Sequence, residues 1–434
     1  MENVVEKQKV VILGAGVTGL VISYYLKQHG VKSIILEKLN QPGGLSRSFE
    51  IQNYFFDYGG HCSFAKDVTI RKMLEEDVNY YVSTAIAYNY KKEHWIKHPV
   101  QNNLRVLSSD EKILILEDFI NRVKEKDVNN YEQWLECSYG KYFTENYPTL
   151  YTRKYWTVEP SQLETKWIGP RMYQPNLHEV LKGVFEQETP NIHYSNEIRY
   201  PKEGGFDVFL KSMINQSDIQ LNSEVKEINS DKRIVTLTNG KMLKYKYLIS
   251  TIPLPEMNSM IFDLNQEVKE SMTNLNYTSL VLVSLGIKKL CNIPASTFYI
   301  YDEDILPSRV YSPSIMGGHG NNHVSLQAEV YFSKFKPLDM SLEYIKEQTI
   351  EQLIKMGVFL REDLEVADVR FEKYANIIFT PDIYKNRKKI HSMLESKEIY
   401  YAGRFADWDY LWTDQSMLSG INVANHLVKR MQIE

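Results

Sequence analysis

Hydrophobic and polar positions along this chain change period several times, and the changes divide it. Residues 10–13, Val-Val-Ile-Leu, are an unbroken apolar run, as expected of a parallel strand buried on both faces. A glycine-punctuated stretch with helical spacing follows, and 31–36 reads as a second strand ending on Glu37. Helical periodicity marks 66–80, 113–128, 131–143 and 177–187, with short strands over 83–98. After Ile198 come a turn at Tyr200-Pro-Lys-Glu-Gly-Gly205, a helix over 206–216 and a strand over 219–228. A hairpin over 232–246 turns on Asn239-Gly240, and a buried strand stops at Pro253. From 261 the texture alternates: strands over 279–287, 296–301, 309–313 and 324–333, with one helix over 342–356. A last strand over 399–404 enters a glycine turn, and Thr413 or Asp414 caps a helix over 415–430 with Leu418, Ile421, Val423 and Leu427 facing inward.

The fold class predicted is α/β. Residues 1–98, 198–260 and 396–434 form a discontinuous Rossmann-like domain, 99–197 a helical insertion at the substrate cleft, and 261–395 a second, antiparallel-sheet domain.

The first strand, turn and helix carry Gly14-x-Gly16-x-x-Gly19. Gly14 makes the tight turn, Gly16 lets the backbone approach a pyrophosphate at the helix N-terminus, and Gly19 lets helix and strand pack closely. Glu37 is placed to hold the hydroxyls of an adenosine ribose. Pro42-Gly-Gly-Leu-Ser-Arg-Ser48 is a second phosphate-cradling loop in which Gly44 approaches the cofactor and Arg47 meets the pyrophosphate. Gly59-Gly60-His61 ends a short aromatic strand and lets a cofactor lie close. Val225 is expected to face the adenine. Contacts from so many separated loops suit FAD better than NAD. The N-terminus of the last helix, at Asp414, Gln415 and Ser416, points its dipole at the cofactor ring.

Composition narrows the function. A net charge of −4, with acids and bases mixed along the chain, gives no polycationic surface for nucleic acid. Three scattered cysteines make neither a disulfide framework nor a metal clip, and a reducing cytoplasm is the simplest location. No stretch approaches the length of a membrane span, and the apolar start at Val10 reads as a strand rather than a signal peptide. His94 and His98 read as surface residues, His319 and His323 flank the turn Gly320-Asn321-Asn322, and His61 has no second histidine at ligand spacing, so no metal is expected. Tyrosine is unusually abundant at 30 residues, which suits a cleft for rings, sugars and phosphates as well as general packing.

These motifs resemble the superfamily of FAD-dependent amine oxidases and protoporphyrinogen oxidases. A narrower set, Asp57-Tyr-Gly-Gly-His61, Tyr151–Trp156, Trp167–Arg171, Pro307-Ser-Arg309 and Gly403-Arg-Phe-Ala-Asp-Trp-Asp-Tyr410, is similar to UDP-galactopyranose mutases. The resemblance implies interconversion of pyranose and furanose forms of a UDP-linked nucleotide sugar through a sugar adduct at N5 of reduced FAD, without net redox. NAD(P)H is one candidate reductant of the flavin, and the physiological one is left open.

By the same resemblance, His61 sits beside the flavin, Tyr155, Trp156 and Trp167 line the nucleotide side of the cleft, and Arg171 and Arg309 clamp the diphosphate. Arg404 contacts the flavin side and Tyr410 the sugar or diphosphate. Asp409 stands where that family commonly has a base. Three alternatives stay open: His61 as a hydrogen-bond donor fixing its glycine loop, either arginine as the anchor of a carboxylate across the domain boundary, and the whole chain as an oxidase, dehydrogenase or desaturase.

Overall fold

The computed structural model describes residues 5–124, 127–192, 197–291 and 293–433. Among these, the first apolar run lies inside a seven-stranded sheet. Val5–Leu13 has parallel neighbours on both sides, Met242–Ser250 and Ser33–Leu36, with Val10 opposite both Tyr247 and Ser33. Val10, Val11 and Ile12 are completely buried, which is why the run lacks polar alternation. Ile219–Gln220 extends the sheet past Ser33–Leu36, and Ile399–Tyr401 adds a parallel strand beside Met242–Ser250. The antiparallel strands Val225–Asn229 and Ile234–Leu237 complete it. Three separated stretches of chain therefore build one sheet, the discontinuous Rossmann-like arrangement.

Helix Val17–Gln28 packs against the C-terminal helix Thr413–Ile433. The contact is close because it is lined with small residues: a Cβ at Gly420 would come within 2.9 Å of Val21, and one at Gly403 within 2.3 Å of Thr18. Periodicity placed Leu427 on the buried face, with Ile421 and Val423 partly buried against the core, but it missed the small residues of this contact and put Leu418 among the inward ones. Leu418 is exposed, and the face turned inward is Met417, Gly420, Ala424, Leu427 and Val428. The helix begins at Thr413, so Asp414 lies in its first turn rather than at its cap.

The second sheet also has seven strands. Their order is Leu364–Ile378, Asn276–Lys289, Asn322–Phe332, Arg309–Tyr311, Thr297–Ile300, Tyr88–Lys91 and His94–Lys97. Most neighbours are antiparallel, but Thr297–Ile300 runs parallel to Tyr88–Lys91, with Phe298 opposite Tyr88. Tyr88–Lys91 and His94–Lys97 therefore belong with this sheet, and a boundary at residue 98 splits them from it. Leu364–Ile378 escapes periodicity because charged and apolar residues are mixed along its partly exposed stretch, with Val369 beside Arg370 and Phe371 beside Glu372.

Helices Ser109–Asn121, Tyr131–Tyr139, Lys141–Asn146, Pro148–Tyr155 and Leu177–Phe185 fill the insertion. The expected helix over 131–143 breaks at Gly140, whose φ of +88° ends one helix and starts the next. The helix expected over 113–128 starts earlier, where the Ser108 hydroxyl accepts the Glu111 N–H at 3.2 Å, and ends at Asn121. Residues 125–126 of that expectation lie outside the described ones. No helix among the described residues is long and apolar enough to cross a membrane.

Candidate active site

The two glycine loops meet at the C-terminal end of the first strand. Gly14 turns with φ +94° and donates its N–H to Leu36 O at 2.9 Å, while Gly43 N–H reaches Ala15 O at 2.8 Å. A Cβ on Gly19 would stand 2.0 Å from Gly14 O, so the helix closes on the turn as the motif requires. One on Gly44 would stand 3.0 Å from Gly16 Cα, whereas one on Gly16 would meet nothing nearer than 4.0 Å. Gly16 thus faces open space over a helix N-terminus that has no side-chain cap, which fits a pyrophosphate. Glu37, buried, accepts N–H groups from Ala15 at 2.7 Å and Leu39 at 2.9 Å. Its carbonyl accepts Ser223 N–H at 2.8 Å, which brings the segment before Val225 to the same edge.

Arg47 is placed differently from the expectation. Its guanidinium pairs with Glu372 at 2.6 Å, donates to Gly44 O at 2.6 Å and lies 3.6 Å over the Tyr58 ring. A half-buried carboxylate on the second sheet claims the charge first, so Arg47 ties the glycine loop to that sheet instead of standing free for a phosphate.

Asp57 anchors the next loop. The Ser48 hydroxyl, the Tyr200 hydroxyl and Phe206 N–H all donate to its carboxylate, at 2.7, 2.6 and 2.9 Å. Burial nevertheless pushes Asp57 up to about 6. Gly205 has to be glycine, because a Cβ there would lie 2.2 Å from Ser48 Oγ. Two residues beyond Asp57, Gly59 turns with φ +120°, and Gly60 N–H donates to Glu329 at 3.1 Å.

His61 bonds through Nδ1 to Gly59 O at 2.8 Å. A carbonyl only accepts, so Nδ1 carries the proton and Nε2 is left as an acceptor. Burial, opposed by the Gly59 bond and reinforced by Arg309, lowers this histidine to about 4, so the ring is uncharged at neutral pH. Between that value and the ordinary 6.5 the unfolded chain binds the extra proton. The contribution of His61 to stability should therefore rise with pH across this window, by at most about 3 kcal/mol, less what water screens at the ring's open edge, while the raised Asp57 contributes the opposite slope up to about 6. Denaturant unfolding at a series of pH values should show a stability difference between the parent and His61→Asn that grows with pH across this window, the Asp57 slope being common to both chains.

Arg309 borders the same loop, with Nη2 3.2 Å from the position of a Gly60 Cβ. Its Nε and Nη2 both bond Glu329, at 2.6 and 2.7 Å. This is the carboxylate-anchoring alternative, realised within one sheet. Arg171 and Arg404 instead meet around Tyr410, their guanidinium carbons 4.6 and 4.9 Å from its ring centre. Arg171 bonds Trp167 O at 3.0 Å and also Tyr410 O. Arg404 bonds Asn376 Oδ1 at 2.8 Å and Leu411 O at 3.2 Å.

The Tyr155 hydroxyl donates to Asn376 Oδ1 at 3.2 Å and lies 3.5 Å from the Tyr410 hydroxyl. The charges of Arg309 and Arg404 both bear on Tyr155, so it links the two groups of arginines. Trp156 and Trp167 are buried and back Tyr410 from behind, at ring separations of 5.5 and 5.9 Å, rather than forming an open wall. Asp409 turns away to Arg387 at 3.1 Å. In the C-terminal helix, Gln415 accepts Trp412 N–H at 3.0 Å and Ser416 O accepts the Thr18 hydroxyl at 3.3 Å, while the buried Asp414 Oδ1 has no protein partner.

Glu329, Gln327, Tyr331 and Asn376 complete the site without having been anticipated. Gln327 exchanges bonds with the Asp57 backbone at 2.9 and 2.8 Å, and the Tyr331 hydroxyl donates to Glu329 at 2.7 Å. Ser325, Gln327, Glu329 and Tyr331 alternate with apolar residues, the pattern of a strand with one wet face, yet all four are buried. Among the described residues, no group of three metal-ligating side chains is placed to hold an ion.

Comparison with known proteins bears on this arrangement. The sequence profile of the flavin containing amine oxidoreductase family matches residues 17–428. Over 67 residues the chain is 31% identical to the "Probable flavin-containing monoamine oxidase A" of Dictyostelium discoideum, a stretch covering 15% of each protein. Among solved structures, a reduced UDP-galactopyranose mutase superposes with a TM-score of 0.91 at 24% identity, covering 98% of this chain and 94% of that one. A putrescine oxidase double mutant redesigned in cofactor binding gives 0.67 at 15% identity over 98% and 100%. A CLA-producing fatty acid isomerase from P. acnes gives 0.65 at 13% over 96% and 98%.

Proposed function

The chain belongs to the flavin-containing amine oxidoreductase family, with FAD as its cofactor, and within that family we propose that it interconverts the pyranose and furanose forms of a UDP-linked sugar without net redox. One observation carries this reading. Arg171 and Arg404 flank Tyr410, and the Nε–H of each is buried with no acceptor among the described residues. Two guanidinium charges sharing a half-buried cleft disfavour each other unless an anion joins them, and burial together with Arg404 already lowers Arg171. Planar forks suit the oxygens of a diphosphate. Likeness of fold to the mutase supports the same reading.

Bound and reduced, FAD would supply its ring N5 as a nucleophile toward the anomeric carbon. The chain's own residues frame that chemistry. Gly59 and Gly60 leave room for a ring, and uncharged His61 offers Nε2 as a hydrogen-bond acceptor. Arg171 and Arg404 hold the diphosphate as it gathers charge on leaving, when such contacts strengthen most. The hydroxyls of Tyr155 and Tyr410 are available to sugar or phosphate oxygens. Trp156 and Trp167 keep water from the back of the cleft.

A second reading, an FAD-dependent oxidase, dehydrogenase or desaturase, is favoured by the family to which the chain belongs and by the pairing of Arg309 with Glu329, which neutralises one of the two arginines expected to clamp a diphosphate. Incubation with UDP-galactopyranose separates the two. The mutase reading expects the furanose isomer after reduction by dithionite or NAD(P)H, none after flavin reoxidation, and no reductant consumed per turnover. Stoichiometric oxidation of a substrate with bleaching of the oxidised flavin would establish the second reading instead.

A further inference from the structure

Arg309 and Glu329 face each other directly on neighbouring antiparallel strands. The Glu329 side chain is 1% exposed, and its donors are all accounted for: Arg309 Nε on one oxygen with the Tyr331 hydroxyl, Arg309 Nη2 on the other with Gly60 N–H. Bonding through Nε and Nη2 leaves Nη1 as the free edge of the guanidinium. The Arg309 side chain is 23% exposed, and it borders a cavity of about 70 Å³ with Gly60, His61, Cys62 and Tyr299. Neither Arg171 nor Arg404 has a carboxylate within ion-pair distance among the described residues; their acceptors are backbone carbonyls and the Asn376 amide.

We propose that Glu329 is a positioning residue that also sets the charge the cleft will accept: it holds Arg309 and the Gly60 amide as one electrically neutral unit, so that the negative charge of a ligand is met by Arg171 and Arg404 while Arg309 contributes hydrogen-bond donors only. The consequence is a cleft matched to about two negative charges rather than three. Glu329 also couples ligand to cofactor loop, because the carboxylate that aims Arg309 is bonded to the backbone of Gly60. Its identification of a diphosphate as the ligand rests on the reading above; the charge balance itself does not.

The test uses FAD-loaded protein and inorganic pyrophosphate, titrated at several salt concentrations. Glu329→Gln keeps the shape of the side chain and an acceptor for Arg309 but removes its charge. It is expected to bind pyrophosphate at least tenfold more tightly than the parent and with a steeper salt dependence, since one more cation is then uncompensated. Unchanged or weaker binding overturns the proposal. If Glu329→Gln does not retain FAD, Arg309→Met/Glu329→Gln decides: removal of a neutral pair leaves the salt dependence as in the parent, whereas a shallower dependence means Arg309 had counted as a free cation and the proposal fails. UDP is titrated in parallel. UDP binding no tighter than pyrophosphate in any of these chains would sink the nucleotide reading and leave the result on Glu329 standing.

Discussion

A Gly19→Ala chain is expected to purify without flavin and to melt several degrees below the parent. The Cβ would be 2.0 Å from Gly14 O, an atom of main chain that has nowhere to go: Gly14 itself is fixed by its bond to Leu36 O and by a turn at φ +94°. Relief requires the helix Val17–Gln28 to move off the strand, which costs about 2–3 kcal/mol in an otherwise well-packed interior and carries the phosphate-facing backbone with it. Loss of FAD affinity by roughly two orders of magnitude, about 2.7 kcal/mol, follows.

Gly16→Ala is the informative partner. Gly16 has an ordinary φ of −70°, and a Cβ there is 4.0 Å from its nearest neighbour, so the apoprotein should melt normally and only flavin binding should suffer. Flavin content after purification and melting of both apoproteins check the pair. Equal melting of the two apoproteins would mean that Gly19 serves the cofactor and not the packing.

That contrast shows what the sequence made legible. A glycine needed for close packing and a glycine needed for open space obey one spacing rule, and the rule located both correctly because it is local. Glu37 was singled out by the same spacing, and it lies against the Ala15 turn and the segment before Val225. What was missed depends on contacts distant in the chain.

Arg47 looked like a free phosphate ligand until Glu372, on a strand without readable periodicity, was folded beside it. Arg309 and Glu329 are cross-strand neighbours, but nothing in the separate stretches around them says that the polar face of the Asn322–Phe332 strand is buried against the Asp57 loop. Period-two alternation distinguishes two faces of a strand and is silent about whether the polar one meets water or a binding cleft. On the last helix Leu418 was misplaced for a related reason. Gly420 and Ala424 bury a contact through small size, while Leu418 on the other side has the larger hydrophobic side chain and remains exposed.

The same long-range assembly decides which arginines should matter most for turnover. Arg171→Ala and Arg404→Ala are each expected to retain FAD and fold, to weaken UDP binding, and to lower kcat/KM for a UDP-sugar by about 10²–10³, the cost of removing a preorganised charged donor from a water-poor site. Both guanidinia lie against the Tyr410 ring, and among the described residues neither is ion-paired to a carboxylate, so each removal takes a full charge out of the cleft. Arg171→Lys should recover little, because a single ammonium cannot bond Trp167 O and Tyr410 O and still present a planar fork to phosphate.

Arg309→Ala is a different case. It would strand Glu329 as an unpaired carboxylate under the Gly60 loop, so its expected damage extends to flavin binding and stability. Steady-state kinetics with UDP titration on flavin-loaded variants separate these outcomes. If the two uncompensated arginines assist departure of a diphosphate beyond simple capture, kcat must fall together with affinity, since an interaction made equally with substrate and transition state would raise KM alone. Unaltered UDP affinity in both Arg171→Ala and Arg404→Ala would remove the diphosphate from this cleft and leave oxidoreductase chemistry on an uncharged or cationic substrate as the reading to pursue.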